Sequence, residues 1–314
     1  MPDKPRIDQM FGEVSSDTFL GLQRLDDLSQ LEAQVAIVGA PNITPYRSVG
    51  AYCTGAPGAI RRAIMPYAAN LQHIDFDVGR PLLPNPHAAV DCGDLPFDDD
   101  DFAKNRLELC QTVGAILDKR ATPIIIGGDD SVPIPMFEAF AGRGEYTILQ
   151  VDAHIDWRDE VDGERFGLSS NMRRASEMPH IKRIIQVGQR GIGSARVTDY
   201  EDACRWGVSF FSARTIAAEG IASVVDLIEP DTNVIVALDI DGLDPAIVPG
   251  VIGRAPGGLT YWQMTELLQG VHARAHLSAF SLVEFMPERD VDDLGALVAA
   301  RIIANAMSLM AHSS

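Results

Sequence analysis

The sequence is short of cysteine and of positive charge. Its four cysteines, Cys53, Cys92, Cys110 and Cys204, are widely spaced and form no Cys-x-x-Cys pair. That spacing excludes a zinc ribbon or a dithiol redox motif and points to reduced, mostly buried thiols. Lys and Arg total 26 against 44 Asp and Glu, a formal charge of −18. A surface of that sign repels nucleic acid and anionic membranes and attracts a small cation. No apolar run approaches the ~18–20 residues of a membrane span. The opening residues, MPDKPRIDQMFG, lack the apolar core of a signal peptide. The expectation is a soluble, cytoplasmic protein with no nucleic-acid or membrane partner. Internal repeats, low-complexity tracts and composition breaks are also absent, so 1–314 reads as one domain with 1–33 as an N-terminal extension.

What is present is an alternation of two patterns. Apolar, β-branched runs occur at 34–41, 88–94, 122–130, 146–156, 181–191, 207–213, 233–242 and 277–285. Most are nearly continuous, as for strands buried on both faces. Amphipathic segments at 105–120, 198–207, 261–274 and 294–310 read as helices. The acidic run DDDDF (98–102) reads as a solvated helix start. Alternating strand and helix predicts an α/β fold, a parallel sheet with helices on both faces.

In such sheets, ligands bind beyond the carboxyl ends of the strands. Four strand ends here carry acids or His. After PIII come Gly127, Gly128, Asp129, Asp130 and Ser131; after ILQV come Asp152, His154 and Asp156. After VIVAL come Asp239, Asp241 and Asp244, and after AFSLV comes Glu284. One acid at a strand end is usually a cap or turn former. So many carboxylates near one another demand cations. In an extended strand residues i, i+2 and i+4 point to one side, so Asp152, His154 and Asp156 are expected to converge, and Asp239 with Asp241 likewise. An oxygen-rich set with imidazole suits Mn²⁺, Ni²⁺ or Co²⁺, and the ligands outnumber the needs of one ion.

At these residues the chain resembles the arginase/agmatinase (ureohydrolase) family. The resemblance spans about 34–310 and rests on GGDDS (127–131), DAHID (152–156), DIDGLDP (239–245) and the Val-Glu pair ahead of Pro287. It implies a three-layer α/β/α fold around an eight-stranded parallel sheet, assembled as a homo-trimer or homo-hexamer. It implies two divalent ions, Mn²⁺ with Ni²⁺ as the alternative, and hydrolysis of a small cationic guanidino substrate to urea and an amine. By the same resemblance, Asp130, Asp152, Asp156 and Asp239 surround one metal. His154 serves the other, with Asp152, Asp239 and Asp241, so that Asp152 and Asp239 bridge. Asp156 also passes a proton to the leaving amine, and Glu284 holds the guanidinium. Asp129 and Asp244 read as turn or supporting residues.

Two departures bear on function. The family motif is Gly-Gly-Asp-His-Ser, and here its His position is Asp130. Five Asp give −5 against +4 from two dications, which favours a harder ion. Second, Leu168 occupies the place of a His that in agmatinase-like members assists proton transfer. Ser170 and Asn171, beside Ser169, are candidate substrate contacts there. SSN (169–171) is similar to the arginase loop that contacts an amino-acid carboxylate, and reads equally as a helix start capped by Ser170 or Asn171. Trp157 is a further candidate contact; with Arg158 it walls the pocket or caps the sheet. In the Gly/Pro-rich loop 39–62 the candidates are Asn42, Tyr46, Arg47 and Tyr52, and His87 reads as a surface turn residue.

The leading reading is therefore a binuclear metallohydrolase of guanidino compounds. A single-zinc deacetylase of related fold fits less well, because Asp156 and the Asp239/Asp241 pair provide for two metals. A third reading is a catalytically degenerate paralogue that supports a related subunit in a hetero-oligomer, motivated by Asp130 and Leu168.

Overall fold

The computed structural model describes residues 7–11, 16–193 and 195–313. Its centre is a nine-stranded sheet of β1 (Gln23–Arg24), β2 (Val35–Ala40), β3 (Ala89–Asp94), β4 (Thr122–Gly127), β5 (Tyr146–Val151), β6 (Ile181–Val187), β7 (Ser209–Phe211), β8 (Asn233–Asp239) and β9 (His276–Val283). Every pairing is parallel, in the order β1-β3-β2-β4-β9-β8-β5-β6-β7. The eight expected strands are all there. The ninth, β1, pairs Gln23 with Val90 and Arg24 with Asp91 at the sheet edge. Both of its residues are exposed and polar, so no apolar run announces it.

Side chains along each central strand divide between two cores. Val35 and Ile37 face one, Ala36 and Val38 the other; Val234, Val236 and Leu238 face the first, Ile235 and Ala237 the second. Helices Ala56–Ile64, Tyr261–Arg274 and Leu294–Ala311 cover the first face. Helices Phe102–Asp118, Pro133–Glu138 and Asn171–Ser176 cover the second. This is the three-layer α/β/α arrangement. The acidic run starts a helix as read: Asp101 accepts from Lys104 N at 2.9 Å.

Two expectations need adjusting. Helix Leu294–Ala311 has 18 residues and is long and apolar enough to cross a membrane, but 78% of it is buried inside the protein. Arg301 interrupts it in sequence and is absorbed by ion pairs to Asp75 and Asp77 at 2.6 Å. Of the extension at 1–33, residues 1–6 and 12–15 lie outside the described residues. Beyond them Phe19, Leu20, Leu22 and Leu31 are buried in the core.

The topology positions the site. The chain leaves β4 and re-enters the sheet at β5, with β9 and β8 lying between them. The carboxyl ends of these four adjacent strands therefore open onto one crevice at the point where strand order reverses.

Candidate active site

Each acid-bearing loop is shaped by its backbone. β4 runs into Gly128, where a Cβ would sit 1.9 Å from the Pro41 carbonyl oxygen, so only glycine fits. The turn beyond is held by Asp129, which is buried and accepts from Ser131 N at 3.0 Å and Ile43 N at 3.3 Å. β5 ends at Val151, so residues 152–156 are not an extended strand. Asp152 accepts from His154 N at 2.6 Å, and Asp156 adopts a left-handed φ of +43°. The period-two spacing thus brings these side chains together through a turn rather than along a strand. Asp239 closes β8, and its side chain accepts from Asp241 N at 2.8 Å in the 3-10 turn Ile240–Gly242. Asp241 in turn accepts from Ala153 N at 3.1 Å.

The six expected ligands meet in two groups. One ligand atom each from Asp152, His154, Asp239 and Asp241 lies within 4.8 Å of the others, and Asp130, Asp152 and Asp156 form a second such set. Asp152 belongs to both. Asp239 falls only in the first, where the resemblance implies a share in each.

The electrostatics are those of a cation site. All five aspartates are buried, and among the described residues no Lys or Arg side chain forms an ion pair with any of them. Burial, and then the neighbouring carboxylates, hold Asp130, Asp152 and Asp239 well above the usual range. His154 Nδ1 lies 3.2 Å from Asp241 and 3.4 Å from Asp152. Burial opposes a charge on this imidazole, but the hydrogen bond and field of Asp241 prevail and push it up to about 10. For Asp241 burial is likewise outweighed, by His154, and its carboxyl is lowered. A proton here does the work that a divalent ion bound to the same groups would do. Buried oxygens with a single imidazole, otherwise without a cation, fit two hard or borderline divalent ions.

Supporting residues that the sequence reading missed hold this floor in place. Gln150 Nε2 donates to Asp152 at 2.7 Å and Asp156 at 3.1 Å. Gln186 Nε2 donates to Gln150 Oε1 and, at 2.9 Å, to the Ile155 carbonyl. Arg190 clamps the other loop, donating to the carbonyls of Asp241 at 2.7 Å, Leu243 at 2.9 Å and Gly242 at 3.2 Å. The available signal was a glutamine in the buried carboxyl-terminal half of each of two strands, Gln150 in β5 and Gln186 in β6.

Above the floor is a cavity of about 210 Å³. Tyr52, Trp157, Arg158, Leu168, Ser169 and Glu284 are among its walls. Glu284 is buried, with a left-handed φ of +66°, and its Oε1 accepts from Asp130 N at 2.8 Å. Burial pushes its carboxyl up to about 8, against the hydrogen bond from the Tyr52 hydroxyl. Trp157 Nε1 donates to Asp202 at 3.0 Å, and its ring meets Trp206 edge-on, which fixes it in the wall.

Other candidates fall elsewhere. Ser169 lines the cavity and Ser170 does not; Ser170 is fully buried at the start of helix Asn171–Ser176, without a side-chain cap bond. Asn171 is also fully buried, and its amide donates to the carbonyl of Asp130 at 3.1 Å and to its carboxylate. It steadies a candidate ligand instead of facing the cavity. In the loop 39–62 only Tyr52 of the four candidates lines the cavity. Tyr46 accepts from Ser169 N at 3.2 Å, Asn42 donates to Thr54 at 2.8 Å, and Arg47 lies over Phe102. His87 is exposed, and Asp244 accepts from Ala246, Gly257 and Gly258 as a turn residue.

A family model described as the arginase family matches residues 33–309. The chain belongs to the arginase family. It is 31% identical to mitochondrial arginase 1 of Arabidopsis thaliana over 260 residues, 79% of this chain and 73% of that protein. It is 27% identical to the agmatinase of Pyrococcus horikoshii over 85% of this chain and 90% of that one. Among solved structures, proclavaminate amidino hydrolase from Streptomyces clavuligerus superposes with a TM-score of 0.82 at 26% identity, covering 95% of this chain and 98% of its own. Arginase-family ureohydrolases are hydrolases of non-peptide C–N bonds in linear amidines, and that is the enzyme class of this chain.

Within the family, both departures noted in the sequence reach the cavity. Asp130 and Leu168 line it, and His154 is the one histidine among its described lining residues.

Proposed function

We propose that this protein hydrolyses a C–N bond of a guanidino compound, releasing urea or a urea derivative and an amine, with two divalent ions bound. The observation that carries the reading is the pair of ligand groups joined through Asp152 on the floor of a cavity that also holds Glu284. When bound, the ions supply Lewis acidity and activate water at neutral pH. Glu284 accepts the guanidinium N–H groups, a planar cation matched to a carboxylate. Tyr52 and the Asp130 N–H orient that carboxylate. Asp156, held by Gln150, passes a proton to the departing nitrogen. Trp157 and Leu168 give the wall an apolar side that limits water near the reacting carbon.

The donor sets support unlike ions or unlike affinities at the two positions. Asp152, His154, Asp239 and Asp241 offer nitrogen and oxygen, and suit Mn²⁺ or Ni²⁺. Asp130, Asp152 and Asp156 offer oxygen alone, and suit the harder Mn²⁺. Family precedent supports a homo-trimer or homo-hexamer.

The test is substrate loss, read by mass spectrometry, across agmatine, arginine, guanidinobutyrate, guanidinopropionate, guanidine and a biguanide. The protein is loaded separately with Mn²⁺ and Ni²⁺. Turnover that disappears in Asp239→Ala supports the reading. No turnover together with no bound ion overturns it and favours a non-catalytic partner subunit.

A further inference from the structure

We propose that Arg158 is the anion anchor of the cavity, and that the substrate is a guanidino acid whose carboxylate it binds. This rests on the reading above and names the substrate class of the same site.

Three arginines matter near the cavity, and two are spent. Arg190 is consumed by backbone carbonyls. Arg196 lines the cavity but is paired with Asp199, at 2.6 and 3.0 Å. Arg158 lines it as well, half-buried, and its guanidinium has no hydrogen bond or ion pair among the described residues. Among the arginines that line the cavity, Arg158 is the unpaired one, in a chain with 44 acids against 26 bases. Even the adjacent Asp159 turns to Arg174 at 2.6 Å and Arg165 at 3.2 Å.

The backbone beneath Arg158 is fixed although the side chain is free. Its N–H donates to the Ser169 carbonyl at 3.0 Å, which joins it to the turn carrying Leu168. Trp157, just before it, is pinned by Asp202. A five-donor cation on a rigid mount, facing a cavity and without a partner, is built to receive a carboxylate.

Charge balance gives the same answer. Glu284, buried and without a cationic partner among the described residues, presents carboxyl oxygens that a guanidinium matches. Arg158 requires an anion, which the far end of the substrate then supplies. A substrate ending in an ammonium would put like charges together on the partly desolvated wall, and the site would reject it. A neutral tail would leave the guanidinium as it is.

The test uses three compounds that differ mainly at the tail: 4-guanidinobutyrate, butylguanidine and agmatine. Binding to the metal-loaded protein is measured by calorimetry and turnover by urea release, in wild type, Arg158→Ala, Arg158→Lys and Arg158→Glu. Metal content and melting temperature check that each variant folds. Wild type is expected to bind 4-guanidinobutyrate at least tenfold more tightly than butylguanidine, with agmatine weakest. Arg158→Ala should bring the first two to parity, through KM more than kcat. Arg158→Lys should restore part of the preference, and Arg158→Glu should favour agmatine. Parity in wild type, or a preference that survives in Arg158→Ala, overturns the proposal. An Arg158-dependent carboxylate preference without urea release upholds the anchor and removes the hydrolytic reading.

Discussion

The Tyr52 hydroxyl lies 2.8 Å from one carboxylate oxygen of Glu284 and 2.6 Å from the other. The two residues are 232 positions apart in the chain. The bond ties the loop after β2 to the end of β9 and leaves the carboxylate little freedom to rotate. Tyr52→Phe should therefore impair binding more than chemistry. A hydrogen bond to a charged group contributes about 1.5 kcal/mol, so KM should rise about tenfold with a smaller change in kcat. Steady-state kinetics on whichever guanidino compound is turned over would check this. An equal fall in kcat at constant KM would contradict it.

Metal stoichiometry should follow group membership. Asp152 serves both ligand groups, Asp241 one and Asp130 the other. Asp152→Asn should lose both ions, whereas Asp241→Asn and Asp130→Asn should each retain one. Elemental analysis of the purified variants gives the ratio directly. Equal loss in all three would mean that the two positions fill only as a unit.

Restoring an imidazole at position 130 should change metal preference. Asp130→His replaces an oxygen donor with nitrogen in the all-oxygen group, and removes one buried negative charge. Affinity for Ni²⁺ relative to Mn²⁺ should rise about tenfold or more at that position. Competition calorimetry would read the change, and an unaltered ratio would show that Asp130 does not bind the ion.

Acid stability should depend on Asp77. Burial alone would raise this carboxyl, but the hydrogen bond from Tyr261 and the Arg301 guanidinium outweigh it and hold it below its ordinary 3.8. Because the folded value is depressed, the contribution is complete above the unfolded value and is lost as pH falls through the folded one. Asp77→Asn should lower the urea midpoint at neutral pH, and its gap to wild type should close as pH drops below 3.8. A gap that stays constant down to acid unfolding would assign the effect to shape instead of charge.

Much of this was legible in the sequence because it is written in residue type. Continuous apolar runs marked eight strands, since burial on both faces leaves no room for polar alternation. Acids at four strand ends marked the site, since so many buried carboxylates need cations. Geometry was less legible. Asp156 reaches its group by a left-handed backbone that no spacing rule indicates. Ser169, and not its neighbour Ser170, lines the cavity, a distinction of one residue set by the turn at 168–170. Gln150 acts on carboxylates of the loop that follows it, whereas Gln186 and Arg190 act on oxygens of distant segments. The two glutamines stand out locally only as polar residues in the buried ends of their strands, and Arg190 not at all.

The order of strands also governs when the site comes into being. Synthesis delivers β4 and β5 early, but the two strands that separate them, β8 and β9, come from the last third of the chain. A ribosome-bound chain that stops short of residue 233 has Asp130, Asp152 and Asp156, with a gap two strands wide beside them. Those carboxylates then have neither their partners nor a closed sheet, and the edges of β4 and β5 are open to wrong pairing. Completion of the acidic cluster is therefore a late event in biogenesis, coupled to the insertion of the carboxyl-terminal segment.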